Sequence, residues 1–216
     1  MQSRDNVSRV FAIIGLLIGI VALTIGFAAF NATLTIQSSA EVDVEDKALD
    51  IVFSTVSNAK TNGSVTPVMT GTGATGDNAT IVDTTISGIH AKFTAPGQKA
   101  TYTFNVYNAS PYVAKLKSAT FANASGQSAN KVCTAADSSV TQSYVNNACN
   151  GISIKVTVGT TSPLIITGTE ASLSRDLAAT TGEQVVVEIE YAAGSSEADG
   201  DFDVAFGDIT LNYSTV

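Results

Sequence analysis

The chain is short of several residue types that enzymes and metal proteins commonly use. It has no tryptophan, four prolines, two cysteines and a single histidine, His90, among 216 residues. With one histidine and no HExxH sequence, the common zinc sites lack their ligands, and the Gly-x-Ser-x-Gly sequence of α/β-hydrolases is also absent. A Ser-His-Asp triad needs no local motif and stays open, although an ordinary strand histidine is the simpler interpretation. We therefore expect no enzyme.

Charged residues are also scarce, at 14% of the chain, and the net charge is −8. An acidic surface repels the phosphate backbone of nucleic acids, so we expect no nucleic-acid partner. Low charge does not indicate disorder here, because valine, isoleucine, leucine, phenylalanine and tyrosine recur to the C-terminus. The composition predicts a folded domain with its own core.

One long apolar run, residues 10–30, stands near the N-terminus. A helix of this length spans about 30 Å, the hydrocarbon thickness of a bilayer. Arg4 and Arg9 precede it, which predicts export of everything that follows. The small residues Ala28 and Ala29 resemble a signal cleavage site, but the run exceeds the usual signal core of about 7–15 residues. Both a cleaved signal peptide and a retained transmembrane helix stay open, and either places the domain outside the cell or on its surface.

The two cysteines, Cys133 and Cys149, are an isolated even pair in an exported chain. Such a pair favours a disulfide, which would close the serine- and asparagine-rich stretch between them. Two free thiols or a metal-binding pair are the alternatives.

Asn-x-Ser/Thr sequons are frequent beyond the apolar run, which is typical of a glycosylated surface protein. Enrichment of asparagine and threonine in turns and strands is the other interpretation. The candidate acceptors are Asn31, Asn62, Asn78, Asn108, Asn123 and Asn212.

Alternation of apolar and polar residues dominates the rest of the chain, for example over 101–107 and 152–158. This period predicts strands, and the absence of βαβ spacing predicts an all-β, antiparallel sandwich of the jelly-roll or Ig-like type. We expect a loop region over 57–80 with a protruding hairpin near 65–69. One helical turn is expected within 170–182.

An acidic loop brings three carboxylates to alternating positions around a glycine. Calcium prefers several such oxygen ligands, so Asp199, Asp201 and Asp203 form a candidate Ca²⁺ site. The alternative is a solvated connection whose charges resist pairing with other strands. No other cofactor is expected.

Several segments resemble the TasA/camelysin-type proteins, which are exported matrix and filament subunits. The sequence GFAAFN at 26–31 closes the leader and is followed by an alternating strand. The turn TAPGQK at 94–99, the strand after it and the ending NVYNAS at 105–110 are similar to the family's central region. The C-terminal strands fit the same pattern.

The resemblance implies a jelly-roll-like domain, 46–216, whose leader, 1–30, is removed near Ala28 or Ala29. It also implies that 31–45 acts as a donor strand, which joins the sheet of a neighbouring copy and so builds a head-to-tail polymer. The side chains that would enter the neighbour are Leu34, Ile36, Val42 and Val44.

The sequence thus predicts a structural subunit of an extracellular filament or biofilm-matrix fibre. The alternative is a membrane-anchored surface protein, such as an adhesin, an envelope-layer component or a pilin-like subunit, that keeps residues 10–30 in the bilayer.

Overall fold

The computed structural model describes residues 49–159, 164–165 and 170–216. The predictions for 1–30 and 31–45 lie outside these residues. In the described part of the chain, no helix is long and apolar enough to cross a membrane. The individual residues whose predicted roles fall outside the description are Ala28, Ala29, Asn31, Leu34, Ile36, Val42 and Val44.

The described residues form three antiparallel sheets and one short helix, which confirms the all-β prediction. Sheet A contains β1 (Ile51–Ser54), β3 (Val68–Thr70), β8 (Lys99–Asn108), β11 (Ile152–Val158), β12 (Leu164–Ile165) and β14 (Gly182–Tyr191). Its order is β1-β8-β14-β11-β12, and β3 pairs with β8 beyond the end of β1.

Sheets B and C contain strands that alternate along the chain, so that successive strands often lie in different sheets. Sheet B contains β2 (Gly63–Val65), β5 (Ala79–Val82), β6 (Thr85–Ser87), β9 (Ala114–Phe121), β13 (Glu170–Leu177) and β16 (Ile209–Thr215), in the order β13-β9-β16-β6-β5-β2. Sheet C contains β4 (Thr75–Gly76), β7 (His90–Phe93), β10 (Lys131–Ala135) and β15 (Phe202–Phe206), in the order β10-β15-β7-β4.

The chain passes from one of these sheets to the other at short glycine-containing corners. Gly88 separates β6 from β7 and has φ of +71°, which glycine adopts without a steric penalty. Gly207 separates β15 from β16, and a Cβ there would lie 2.1 Å from the carbonyl oxygen of Ala122. A side chain at residue 207 therefore cannot be accommodated without moving the backbone.

Alternating side chains of all three sheets meet in one hydrophobic core. Tyr191 of β14 packs edge-on against Phe202 of β15, with ring centroids 5.4 Å apart, and Phe93 of β7 lies 6.0 Å from Tyr191. Phe53 and Phe104 make a second edge-on pair at 4.7 Å. Such pairs contribute about 0.5–1.5 kcal/mol each beyond their buried area.

Gln98, from the turn that carries the family resemblance, is buried at the start of β8. Its Oε1 accepts hydrogen bonds from the backbone N–H groups of Thr94 (2.7 Å) and Ala95 (3.1 Å), while Nε2 donates to the carbonyl of Thr72 (2.7 Å). The side chain thereby holds the turn together and ties it to the preceding loop. This motif has a structural role.

Asn108, from the second resembling segment, occupies the other end of β8 and is fully buried. Its Nδ2 donates to the carbonyls of Tyr112 (2.7 Å) and Leu177 (3.2 Å), and its Oδ1 accepts from Ser110 N (3.1 Å). Two buried carboxamides thus bracket β8, one of the two ten-residue strands of sheet A, and each satisfies backbone groups that the turns leave without partners.

Two local predictions are wrong. The predicted helical turn within 170–182 is strand β13, because pairing with β9 outweighs a weak local helical tendency. The predicted hairpin near 65–69 does not form: β2 pairs with β5 in sheet B, whereas β3 pairs with β8 in sheet A.

The stretch between the cysteines also contains a helix, α1 (Gln142–Cys149), that alternation did not indicate.

Candidate strand-pairing edges

An edge strand exposes backbone N–H and C=O groups, so the sheet edges are the places where a strand from another chain could pair. Three of the edges are short. The edge of sheet C at β4 and that of sheet B at β2 are two and three residues long. The edge formed by β1 and β3 is split, because the chain leaves sheet A between them to form β2 in sheet B.

The β13 edge is irregular and charged. Its register with β9 shifts between Ser172 and Arg175, which breaks the flat row of backbone groups that an added strand would need. The Arg175 Nε donates to Glu183 Oε2 of β14 at 2.6 Å, so this end of the strand is tied to sheet A. Bulges and charges are the devices by which natural edges avoid unwanted pairing.

The β10 edge is covered by α1. Gly207 N donates to Asn130 O, and Ala136 N donates to Asp201 O. The backbone N–H and C=O groups of the even-numbered residues of β10 therefore point toward β15. The outer edge therefore carries the backbone groups of Lys131, Cys133 and Ala135. These are the groups that an additional strand would bind.

Gln142, the first residue of α1, occupies part of that row. Its Nε2 donates to Cys133 O (3.0 Å) and its Oε1 accepts from Ala135 N (3.0 Å), so the carboxamide pairs with the edge as a strand peptide would. Nε2 also donates to Asn146 Oδ1 (2.8 Å), which fixes the side chain in this position.

Several contacts hold α1 against β10. The predicted disulfide between Cys133 and Cys149 is present, with 6.0 Å between the Cα atoms. Val145 and Ala148 are buried, and their spacing places them on one helix face. Asp199 Oδ1 accepts a hydrogen bond from Thr141 N (2.9 Å) at the start of the helix. The hydroxyl and N–H of Thr141 hold the pKa of the Asp199 carboxyl below its usual value.

The β11 edge is different. All seven residues of β11 are in regular register with β14, and burial alternates without interruption, with Ile152, Ile154 and Val156 inside. Gly159 N donates to Gln184 O of β14, and Gly151 O accepts from Ala192 N just after β14, so the backbone groups of the even-numbered residues of β11 point outward. Among the described residues, β12 is the one strand that pairs with this edge, and the Lys131 ammonium group bonds the Ile152 carbonyl on it.

The cover that β12 provides is small. It pairs only Leu164 and Ile165 with Val156 and Lys155. The β11 edge is thus the most regular of the long strand edges within the described residues, and the one strand described beside it is two residues long.

The outer face of this part of sheet A is charged. Lys155 of β11 donates to Glu190 of β14 and lies 3.5 Å from Glu188 Oε1, and Lys99 of β8 also lies 3.4 Å from Glu188 Oε1. The hydrogen bond between Lys155 and Glu190 raises the pKa of the lysine and lowers that of the glutamate. Lys155 is the one basic side chain on β11.

The predicted calcium ligands do not form a cluster. Asp199 caps α1 as described above, whereas Asp203 Oδ1 lies 3.4 Å from His90 Nε2 on sheet C. The carbonyl of Asp201 pairs with Ala136 N. Across the described residues, no group of three or more acidic, histidine or cysteine side chains is arranged to hold a metal ion. The calcium site stays a prediction from sequence.

His90 lies on β7 with a carboxylate near each ring nitrogen. Asp77 Oδ2 is 2.9 Å from Nδ1 but is not aligned for a hydrogen bond, and Asp203 is on the other side. The hydroxyl of Tyr102 lies 2.7 Å from the His90 carbonyl, and burial raises the pKa of Tyr102 to about 12. These contacts are those of a half-buried strand histidine.

The sequons divide by burial. Asn108 is a correction to the prediction, because its Nδ2 makes buried hydrogen bonds that a glycan would displace. We therefore withdraw it as an acceptor. The sequon asparagines that are exposed in the described part are Asn62, Asn78, Asn123 and Asn212.

Sequence reasoning missed the cover of β10. Val145, Ala148 and Cys149 stand at i, i+3 and i+4, which is a helical pattern, but it is short and lies in a polar stretch. The role of Gln142 has no signal in the sequence, since it depends on how the helix lies against the strand.

Comparison with known proteins finds no matching family model, no matching curated protein and no matching solved structure.

Proposed function

We propose that this chain is a structural subunit of an extracellular filament or matrix fibre, in which the segment 31–45 of one copy pairs with the β11 edge of the next. The observation that carries the proposal is β11 itself: a regular, seven-residue, alternately buried strand whose outer edge pairs, within the described residues, with the two-residue β12. A long, regular edge with an apolar inner face is a template for an added strand.

The pattern of the N-terminal segment suits this edge. Strand addition gains affinity from backbone hydrogen bonds and specificity from alternate side chains. In our proposal the incoming strand replaces β12 and directs Val42 and Val44 toward the core. Asp43, between them, then lies on the outer face with Lys155, where opposite charges on neighbouring strands are favourable.

Filament growth follows from the type of contact. A donor strand and an acceptor edge are different surfaces, so the contact is head-to-tail and extends without closing. A jelly-roll-like arrangement of the three sheets, and removal of the leader at Ala28 or Ala29 to free the donor strand, complete this proposal.

The test uses the full chain secreted with its own leader. N-terminal sequencing of the exported protein and electron microscopy of the same fraction should show a start near Ala29 together with fibres. Val42→Asp with Val44→Asp should abolish the fibres, because two charges would enter the acceptor's core. Glu41→Asp with Glu45→Asp is the matched control, since these side chains face the other way and keep their charge. Fibres that persist in the Val42/Val44 variant would rule out the donor strand.

The second candidate is a membrane-anchored surface protein. The length of the apolar run 10–30, which exceeds a usual signal core, favours it. In that case the sequencing experiment finds an intact N-terminus in the membrane fraction, and microscopy finds no fibres.

A further inference from the structure

We infer that α1 keeps the β10 edge closed to a second copy of this chain, which would otherwise pair with it through its own β10. This inference does not depend on the proposed donor strand, because it concerns another sheet and another edge. It rests on the Gln142 carboxamide, which occupies the outward backbone groups of Cys133 and Ala135, and on the disulfide that fixes the helix beside them.

The partner is a second copy because β10 is complementary to itself. Two β10 strands related by a twofold axis through Cys133 would form an antiparallel pair in which Cys133 faces Cys133 and Lys131 faces Ala135. No like charges are then opposite each other, and Val132 faces Thr134 on the outer face. The two copies of sheet C would become one continuous sheet.

The cover matters because β10 has few of the other protections. It is five residues long, with a regular register on β15 over its whole length, and it has no bulge. Its one charged side chain, Lys131, is turned toward Cys149 O (2.9 Å) and Ile152 O (2.5 Å) and so does not project from the edge. A helix over the strand is one of the recognised ways to cover such an edge.

The test uses the full-length chain in detergent, carrying Val42→Asp and Val44→Asp so that the proposed donor strand cannot contribute. Cys149→Ser with Gln142→Ala loosens the helix and frees the Cys133 thiol. In oxidised glutathione, two such thiols can form an intermolecular disulfide, and glutathione is reduced. We expect disulfide dimers, mapped to Cys133–Cys133 by mass spectrometry, at least tenfold above those of Cys149→Ser with Gln127→Ala. That variant is the matched control, because it frees the same thiol, keeps Gln142 and changes a glutamine in an exposed loop.

A chain that lacks both cysteines and carries Gln142→Ala gives the non-covalent counterpart, with dimers expected by light scattering at high concentration. A folded variant, judged by protected β8 amides, that stays monomeric in both experiments would overturn the inference. If the cysteine variants unfold, Gln142→Ala with the disulfide intact decides. Its Ala135 amide should exchange severalfold faster and weak dimers should form, and an unchanged exchange rate would equally overturn the inference.

Discussion

The β10 and β11 edges belong to strands of similar length and regularity, yet the structure treats them in opposite ways. The β10 edge has a helix, a disulfide and a side-chain carboxamide against it. The β11 edge has, in the described part of the chain, the two-residue β12 against it and the Lys131 ammonium group on the Ile152 carbonyl. The contrast indicates that regularity alone does not make an edge available, because what lies beside the strand decides whether another chain can pair with it.

Lys131 connects the two edges. Its ammonium group bonds Cys149 O, the last residue of α1, and Ile152 O, the first residue of β11. A cation at the C-terminus of a helix is also favourable to the helix dipole. The last residue of α1, which covers β10, and the first residue of β11 are thus held by one side chain. A substitution of Lys131 therefore affects both edges, whereas a substitution on α1 or on β11 affects one of them.

The largest effect should come from removing the disulfide. Cys133→Ser with Cys149→Ser releases a loop with a sequence separation of 16, and in the chain-entropy model a loop of this size contributes about 3 kcal/mol. We expect the free energy of unfolding in urea to fall by about that amount. Reduction of the wild-type disulfide without substitution is the control, and it should give a similar loss. An unchanged unfolding midpoint would mean that β10 is covered without help from the disulfide.

The sequence predicted the β11 side of this contrast better than the β10 side. Period-2 alternation in the stretch 152–158 directly reflects one buried face, which is why the strand and its inward residues could be read. The disulfide followed from the even cysteine count. The helix between Cys133 and Cys149 could not be predicted. It is too short for its periodicity to be distinct, and it is stabilised by contacts with distant residues such as Asp199.

Edges themselves are a property of sheet order, which alternation does not encode. Strand β13 illustrates this: its residues, 170–177, have a weak helical tendency, but pairing with β9 makes it an edge strand. The crossing of the chain from sheet A to sheet B and back, which splits the β1/β3 edge, was equally invisible in the glycine- and threonine-rich stretch 57–80. Non-local pairing decided both cases.

A smaller loss of unfolding free energy should follow from Lys131→Met, which removes the side chain that bonds both α1 and β11. The variant leaves the carbonyls of Cys149 and Ile152 without their donor, which costs about 1–3 kcal/mol when such groups are buried. We expect the free energy of unfolding in urea to fall by about 2 kcal/mol. Lys117→Met is the control, because Lys117 is exposed, and it should have little effect.

The same variant has a pH signature. Burial lowers the pKa of Lys131, so in the alkaline window below its ordinary value of 10.5 the unfolded chain binds the proton more tightly than the folded one. Stability due to this group therefore rises with pH across that window. The difference in unfolding free energy between wild type and Lys131→Met should grow there. A flat difference would contradict the burial of the ammonium group.

The next effect concerns assembly and tests the open edge directly. Ser153→Glu with Thr157→Glu places two acids on the outer face of β11, where the acidic side chains of the proposed donor strand would lie. We expect fibre yield by sedimentation to fall at least tenfold, which corresponds to about 1.4 kcal/mol. The opposite variant, Ser153→Lys with Thr157→Lys, should assemble as well as wild type. Equal loss in both variants would show that the effect is not one of charge.

The smallest effect should come from Glu190→Gln, which changes the charged face beside the open edge. The hydrogen bond from Lys155 lowers the pKa of Glu190, so its contribution to stability is present above its ordinary value of 4.5 and is lost as pH falls through the lowered value. The pKa of Lys155 is raised, so the stability that this lysine contributes is fully present below its ordinary pKa of 10.5. That stability is lost as pH rises through the raised value.

Between these limits we expect Glu190→Gln to cost no more than about 1 kcal/mol, because partly exposed ion pairs contribute little. The difference from wild type should shrink in acid and in strong salt. Glu197→Gln, which changes an exposed carboxylate in the loop before β15, is the control and should leave the free energy of unfolding nearly unchanged. If Glu190→Gln instead matched the Lys131→Met loss, the outer face of sheet A would be a main source of stability. The β11 edge would then be stabilised by its own sheet as strongly as β10 is by the helix.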